Sequence, residues 1–234
     1  MINIYHFLNT SLSFFDNQLP DQKEDSFQKQ RDAMVSHQIQ VRGIQNERVL
    51  NALRKIKRHL FIPEKFISFA YNDSPLPIGN NQTISQPYIV ALMTELANIK
   101  PTHKVLEIGT GCGYQTAILA ELAKKVFSLE IISELAKEAR EKFLNLRYQN
   151  IEVICGDGYA GYQKEAPYDA IIVTAAANEL PLELIKQLKI GGRMIIPIGE
   201  CLQELYCITK DNDNSFKQEA IIPVRFVPMM HSSK

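Results

Sequence analysis

The chain has 234 residues, of which 45% are hydrophobic and 22% charged, a composition that indicates one or two globular domains and excludes a disordered chain. The 26 Lys and Arg residues balance the 26 Asp and Glu residues, so no overall basic charge would attract the phosphates of a nucleic acid. No stretch approaches the roughly 18 apolar residues that span a bilayer. We therefore expect a soluble monomer that binds neither nucleic acid nor membrane.

The N-terminal residues and the cysteines indicate a cytoplasmic protein. The apolar run from Met1 to Phe15 lacks a basic start and is interrupted by polar residues, so it is unlike a signal peptide. We expect residues 1–25 to form a loosely ordered leader. No two cysteines have the spacing of about two to four residues that metal sites favour, so no metal is expected. The cysteines are predicted to be small buried residues; they are Cys112, Cys155, Cys201 and Cys207.

Residues 26–100 predict two helices followed by a structured loop. Gly43 ends the first helix, and Asn46 is a good cap for the second, which extends to about Lys57. The loop at 61–87 is rich in proline and aromatic residues, and long loops of this kind are usually functional. Its aromatic side chains are expected to be buried; they are Phe61, Phe66, Phe69 and Tyr71. An apolar helix follows at 89–96.

From residue 101 onward, strands alternate with helices. The run from Asp169 to Thr174 is continuously apolar after its first residue, which is typical of a strand buried on both faces of a parallel sheet. Ser133 is expected to cap one helix, and Gly191 and Gly192 to end another. Two further strands at 204–209 and 216–222, joined by a polar turn, predict an antiparallel hairpin. The other predicted strands are 104–108, 126–129, 151–155 and 193–198, and the helices are 114–123, 133–148 and 182–188. This alternation of strands and helices predicts an α/β fold with a doubly wound, mostly parallel sheet.

A glycine-rich turn between the first of these strands and the first helix carries the clearest functional signal. Gly109, Gly111 and Gly113 leave the backbone open to close approach by a ligand. Glu107 flanks the turn, and Glu130 follows 21 residues after Gly109, where dinucleotide folds place the acidic residue that binds ribose. The glycine spacing lacks the last glycine of the dinucleotide motif. It therefore favours S-adenosylmethionine over a nicotinamide cofactor, with a purely structural turn as a third reading.

Two weaker signals have alternative interpretations. Asp157 and Gly158 follow the third strand of the βα units and face the same crevice, where a carboxylate could accept a hydrogen bond from an adenine amino group. Equally, Asp157 could simply form a turn or a helix cap. The basic run 54–58 could be a nucleic-acid patch, but a solvated face of a short amphipathic helix is favoured.

Several blocks of the sequence resemble protein-L-isoaspartate O-methyltransferases, over roughly residues 30–230. The block Gln82 to Tyr88, which contains Thr83-Ile84-Ser85, is the most specific, because ordinary methyltransferases lack it. Cys112 stands where serine is commoner in the family, and Lys57 where a proline usually precedes the arginine. The other matching blocks are Leu76 to Gly79, Val105 to Leu119, Tyr168 to Ile171, Gly191 to Pro197 and Val224 to Pro228.

The resemblance implies transfer of a methyl group from S-adenosylmethionine to the α-carboxylate of L-isoaspartyl residues in damaged proteins, which starts repair through a succinimide. It also implies a Rossmann-like fold with a helical N-terminal extension and assigns Ser85 to the active site. A carboxylate is ionised at neutral pH and needs no general base, so Ser85 would orient the acceptor. The residues expected to bind the cofactor are Thr83, Glu107, Gly109, Gly111, Gly113, Glu130, Asp157 and Gly158.

The end of the last strand is expected, by analogy, to hold the peptide substrate through backbone hydrogen bonds, although an ordinary edge strand explains it nearly as well. Ser85 could also cap the helix that begins at Pro87. A single domain over residues 26–234 would comprise substrate-side helices and loop (26–100), a cofactor-binding core (101–200) and the hairpin (201–234). The substrate-binding residues are Ser85, Val224, Phe226 and Val227. The alternatives are a methyltransferase of the same fold with another acceptor, and a binding module without catalysis.

Overall fold

The computed structural model describes residues 20–231, which form a seven-stranded sheet with helices on both faces. Its strands are β3 (Lys104–Ile108), β4 (Lys125–Glu130), β5 (Ile151–Cys155), β6 (Tyr168–Val173), β7 (Leu188–Ile198), β8 (Gln203–Asn212) and β9 (Ser215–Val224). The first five strands in sheet order, β5-β4-β3-β6-β7, are parallel, and β8 and β9 continue the sheet antiparallel. The predicted doubly wound sheet and its C-terminal hairpin are confirmed.

Successive residues of the central strands pack into two different cores, as a sheet buried on both faces requires. Val105 of β3 belongs to the larger core, with the N-terminal helices, and the next residue, Leu106, belongs to the smaller core on the opposite face. The chain leaves β3 toward β4 on one side and later crosses to β6 on the other. A crevice therefore opens at the carboxyl ends of these strands, where ligands bind in folds of this kind.

The helices agree with the predicted pattern in type but differ at several ends. Ser133 is the first residue of its helix and does not cap it, because the capping position is Ile132. The predicted helix at 182–188 ends at Lys186, and Gly191 and Gly192 lie inside β7. The helices are α1 (Pro20–Ala33), α2 (Glu47–Lys55), α3 (Pro87–Leu96), α4 (Tyr114–Leu122), α5 (Ser133–Asn145) and α6 (Leu182–Lys186).

The N-terminal extension is helical, as expected, but begins earlier. The helix α1 starts at Pro20, inside the predicted leader, and continues as a π-helical turn to Ile39; residues 1–19 lie outside the described part of the chain. Gly43 ends this region in the left-handed conformation with φ 96°. The side chain of Asn46 accepts hydrogen bonds from the first turn of α2, so the predicted cap is confirmed.

The loop at 61–87 contains 3-10 helical turns and a hairpin that the sequence did not indicate, formed by β1 (Leu76–Gly79) and β2 (Gln82–Ile84). Phe61 and Tyr71 are buried as expected, but Phe69 is 48% exposed. The cysteines also differ from expectation, since Cys207 is buried, Cys112 is intermediate, and Cys155 and Cys201 are exposed.

Candidate active site

The glycine turn after β3 adopts a backbone that only glycine occupies readily. Gly109, Gly111 and Gly113 have φ values of 93°, 51° and 92°. A Cβ atom on Gly109 would lie 2.4 Å from Oγ1 of Thr174, and one on Gly113 would lie 2.6 Å from the ring of Phe143. Gly109 and Gly111 line a cavity at the carboxyl ends of β3 and β4, here called the first cavity, whereas Gly113 packs the turn against α5.

Glu130 ends β4 with its carboxylate directed at the glycine turn. Its Oε2 accepts a hydrogen bond from the N–H of Gly111 at 2.8 Å, and its Oε1 accepts one from the N–H of Ile132 at 3.0 Å. The side chain lines the cavity. A carboxylate at this position suits ribose hydroxyl groups.

Glu107 lies beneath the turn rather than in the wall of the cavity. It is fully buried, and its Oε2 accepts hydrogen bonds from Thr116 and Ser128, each at 2.5 Å. Ser128 in turn hydrogen-bonds the hydroxyl of Thr110 in the glycine turn at 2.6 Å. Burial raises the pKa of Glu107 to about 8. The structure therefore gives this residue a supporting position instead of the direct cofactor contact expected from the sequence.

Asp157 and Gly158, in the turn after β5, have different positions. Gly158 lines the cavity, and a Cβ there would lie 2.3 Å from the side chain of Ile108. Asp157 is not part of the wall; its Oδ1 accepts a hydrogen bond from the N–H of Tyr159 at 2.8 Å, as in the predicted turn. Its Oδ2 lies 3.8 Å from Nδ1 of His231, whose ring stacks on Tyr159.

A second cavity opens beside the first, and Ser85 lines both. The side chain of Ser85 does not cap α3, because the capping position is Gln86 and no side chain accepts a hydrogen bond there. The end of β9 and the residues after it form the opposite wall, including Val224, Phe226 and Val227, so the structure brings all the predicted substrate-side residues together. The residues shared by both cavities are Thr83, Ser85, Thr174 and Val227.

The backbone after β9 limits how a peptide could pair with this wall. Both polar backbone groups of Phe226 are occupied by the side-chain amide of Gln203: the N–H donates to Oε1 at 2.6 Å, and the carbonyl accepts from Nε2 at 3.1 Å. The carbonyl of Val227 accepts from the N–H of Ala176 at 2.8 Å. Arg225 precedes Phe226, and its backbone has no hydrogen-bond partner within residues 20–231.

Sequence reasoning missed two residues of the site. Thr174 follows the buried strand β6, and its hydroxyl donates to the carbonyl of Gly109 at 2.6 Å while lining both cavities. Its position at the carboxyl end of a parallel strand was a usable signal. Arg58 belongs to the basic run that was expected to be solvated, but it is 0% exposed and donates to the carbonyl of Ser85 at 2.8 Å. That expectation was wrong for this residue.

No helix between residues 20 and 231 is long and apolar enough to cross a membrane. Within the same range, no group of three or more His, Cys, Asp or Glu side chains could hold a metal ion.

A doubly wound sheet with an open glycine turn, an acidic residue ending the neighbouring strand and a second cavity beside the first is typical of Rossmann-like, nucleotide-binding enzymes. Residues 29–234 match the family model of protein-L-isoaspartate(D-aspartate) O-methyltransferase. A protein-L-isoaspartate O-methyltransferase from Syntrophus aciditrophicus is 52% identical over 209 residues, which cover 88% of this chain and 96% of that protein. Protein-L-isoaspartate O-methyltransferase 2 from Shewanella sediminis is 47% identical over 95% of this chain and 93% of its own length.

Solved structures agree with this relationship. A crystal structure of a beta-aspartate methyltransferase from Plasmodium falciparum, in complex with S-adenosyl-L-homocysteine, superposes with a TM-score of 0.75 at 29% identity and covers 86% of this chain and 98% of that one. Another protein-L-isoaspartate O-methyltransferase superposes with a TM-score of 0.78 at 28% identity; the match covers 86% of this chain and 65% of that one. The chain belongs to the protein-L-isoaspartate(D-aspartate) O-methyltransferase family.

Proposed function

We propose that this enzyme binds S-adenosylmethionine in the first cavity and an isoaspartyl residue of a damaged protein in the second. The methyl group passes between them to the α-carboxylate of the isoaspartyl residue. The observation that carries this assignment is that Ser85 lines both cavities, so a donor in one and an acceptor in the other would meet at the block 83–85.

The residues around the first cavity fit the cofactor. Gly109 and Gly158 have no side chain where a Cβ would collide with the surrounding wall, so the backbone lies close to the cavity. Glu130 offers carboxylate oxygens to ribose hydroxyls. Thr83 lies at the boundary with the second cavity, next to the region where the methyl group must leave. Glu107 holds Ser128 and through it Thr110, so it contributes by keeping the turn in shape.

S-adenosylmethionine supplies a methyl group on a positively charged sulfur, and the bond between that carbon and sulfur breaks as the carbon–oxygen bond of the ester forms. The acceptor carboxylate is already ionised at neutral pH, so the protein need not remove a proton. The task of the enzyme is to align the acceptor and to exclude water, which can be worth several kcal/mol, up to about 7–11 in favourable cases. Ser85 would donate a hydrogen bond to the carboxylate and so fix its orientation.

The substrate chain would lie along the residues that follow β9, which cross to the end of β6 and pair there with Ala176. The backbone of Phe226 is already paired with Gln203, so a bound peptide would use Arg225 for main-chain hydrogen bonds and Val224 and Val227 for side-chain contact. Backbone pairing of this kind tolerates many neighbouring sequences, which suits a repair enzyme that must act on damage in different proteins.

The exposed thiols of Cys155 and Cys201 suit a reducing compartment, and we propose that the enzyme acts in the cytoplasm as a monomer without a metal or nucleic acid.

Calorimetric titration tests the assignment of the first cavity. S-adenosylmethionine and S-adenosylhomocysteine should bind with micromolar affinity in the presence of a chelator, and a nicotinamide dinucleotide at the same concentration should give no heat. Binding of the dinucleotide alone would refute the assignment.

A further inference from the structure

Arg58 is a buried cation that contacts Ser85 and Tyr114, two residues that line the cavities of the site. Its side chain is 0% exposed. The Nε atom donates to the carbonyl of Ala70 at 2.9 Å, and Nη2 donates to the carbonyl of Ser85 at 2.8 Å. The remaining nitrogen, Nη1, is buried and has no hydrogen-bond partner among the described residues.

The guanidinium also contacts the cofactor side of the site. Its central carbon lies 4.8 Å from the ring centroid of Tyr114, the first residue of α4 after the glycine turn, which lines the first cavity. Burial lowers the pKa of Arg58, but an arginine stays protonated at neutral pH. Within residues 20–231, no carboxylate lies within ion-pair distance of this cation.

Burying a charge without a carboxylate partner destabilises the folded state. A contribution to stability therefore does not explain why Arg58 is buried. The guanidinium offers two donors in a fixed planar arrangement, and each is aligned with a separate carbonyl. Hydrogen bonds from charged donors are stronger than neutral ones. The carbonyl of Ser85 is therefore fixed relative to Ala70 and to the ring of Tyr114, just before α3 begins.

We propose that Arg58 is a positioning residue for methyl transfer: it fixes the backbone of Ser85 so that the serine hydroxyl is aligned with the acceptor carboxylate. This inference rests on the proposed function, because it assigns the effect of Arg58 to the acceptor step. Arg58 touches neither cavity, so it acts through the backbone of Ser85. Lysine would keep the charge but lose the paired donors.

The test is a double-mutant cycle on turnover, with Arg58→Lys, Ser85→Ala and the combined variant, measured with an isoaspartyl peptide at saturating cofactor. Arg58→Lys should lower kcat about tenfold by misaligning the acceptor, and should change the Kd of S-adenosylhomocysteine less than twofold. In the Ser85→Ala background the same substitution should lower kcat less than twofold, because residues that act through one contact are not additive. Arg54→Lys, in the same basic run, is the matched control and should match the wild type.

A tenfold effect of Arg58→Lys that persists in the Ser85→Ala background would overturn the inference, as would an unchanged kcat. Should Arg58→Lys not fold, as judged by its thermal melt, Arg58→Gln decides in the same cycle. It keeps a neutral amide donor but loses the paired donors, and its effect on kcat must also disappear without the serine hydroxyl. A wild-type enzyme that fails to methylate the isoaspartyl peptide would instead refute the proposed function.

Discussion

The carboxylate of Glu130 accepts a hydrogen bond from the backbone N–H of Gly111 in the wall of the first cavity, with 2.8 Å between Oε2 and N. The same carboxylate accepts the N–H of Ile132. Removing it with Glu130→Ala would release the glycine turn and delete the proposed ribose contact. Since a hydrogen bond to a charged group is worth about 1.5–3 kcal/mol, the Kd of S-adenosylhomocysteine should rise about 10- to 100-fold in calorimetric titration.

The matched control for that substitution is Glu134→Ala, on the exposed first turn of α5. It should leave the Kd within a factor of two. An unchanged Kd in Glu130→Ala would show that this carboxylate neither holds the turn nor touches the cofactor.

Ser85→Ala should separate turnover from cofactor binding. The hydroxyl lies at the boundary of both cavities and makes no helix cap, so its loss should lower kcat about 10- to 100-fold through a less well-oriented acceptor. The Kd of S-adenosylhomocysteine should stay within about twofold. Ser133→Ala, whose hydroxyl only contacts Glu134 on the surface, serves as the control. A loss of cofactor affinity as large as the loss of rate would make Ser85 a structural residue.

The buried carboxyl of Glu107 should make stability depend on pH. Its pKa is raised from 4.5 in the unfolded chain to about 8 in the native protein, so the native state keeps a proton that the unfolded chain releases. This contribution is fully present below about pH 4.5 and is lost as pH rises to about 8. Urea unfolding at pH 5 to 8 should therefore show the free energy of unfolding of the wild type falling relative to Glu107→Gln. Parallel pH profiles for the two proteins would contradict the assignment.

Arg225 should give the enzyme a charge preference for the residues next to the damaged site. It is exposed and is the only charged residue among those that line the second cavity in the described part of the chain. Peptides with an acidic residue next to isoaspartate should have a KM several-fold lower than peptides with lysine there, at low salt. Arg225→Gln should remove most of this difference, whereas Lys217→Gln on the exposed face of β9 should keep it. An equal KM for both peptides with the wild type would rule the preference out.

The sheet and the glycine turn were predictable because their signals are local. The strand β6 contains the apolar run Ala170 to Val173, and the turn after β3 consists largely of glycine, the residue that adopts positive φ most readily. The ends of short elements were not predictable in the same way. The helix α6 stops at Lys186 because the following residues join β7 beside β6, and this pairing is set by the register of the sheet.

Arg58 and Glu107 occupy positions that the sequence did not indicate, because contacts between distant parts of the chain determine them. Arg58 is buried because carbonyls 12 and 27 residues away converge on its guanidinium, and nothing in the run 54–58 indicates this. The carboxylate of Glu107 is held outside the cavity wall because it accepts a hydrogen bond from Ser128, the residue opposite it on β4. Only the register between strands determines that contact. Thr174 could have been found, since the carboxyl end of a buried parallel strand is a recurrent place for ligand contacts.

The most direct measurement is methyl transfer from labelled S-adenosylmethionine to two synthetic peptides that differ only in carrying L-isoaspartate or L-aspartate at one position. The proposed geometry predicts base-labile label on the isoaspartyl peptide and none on the aspartyl peptide, with labelling about 10- to 100-fold slower in Ser85→Ala. Label on neither peptide, from an enzyme that still binds the cofactor, would contradict the account and direct the search to another acceptor.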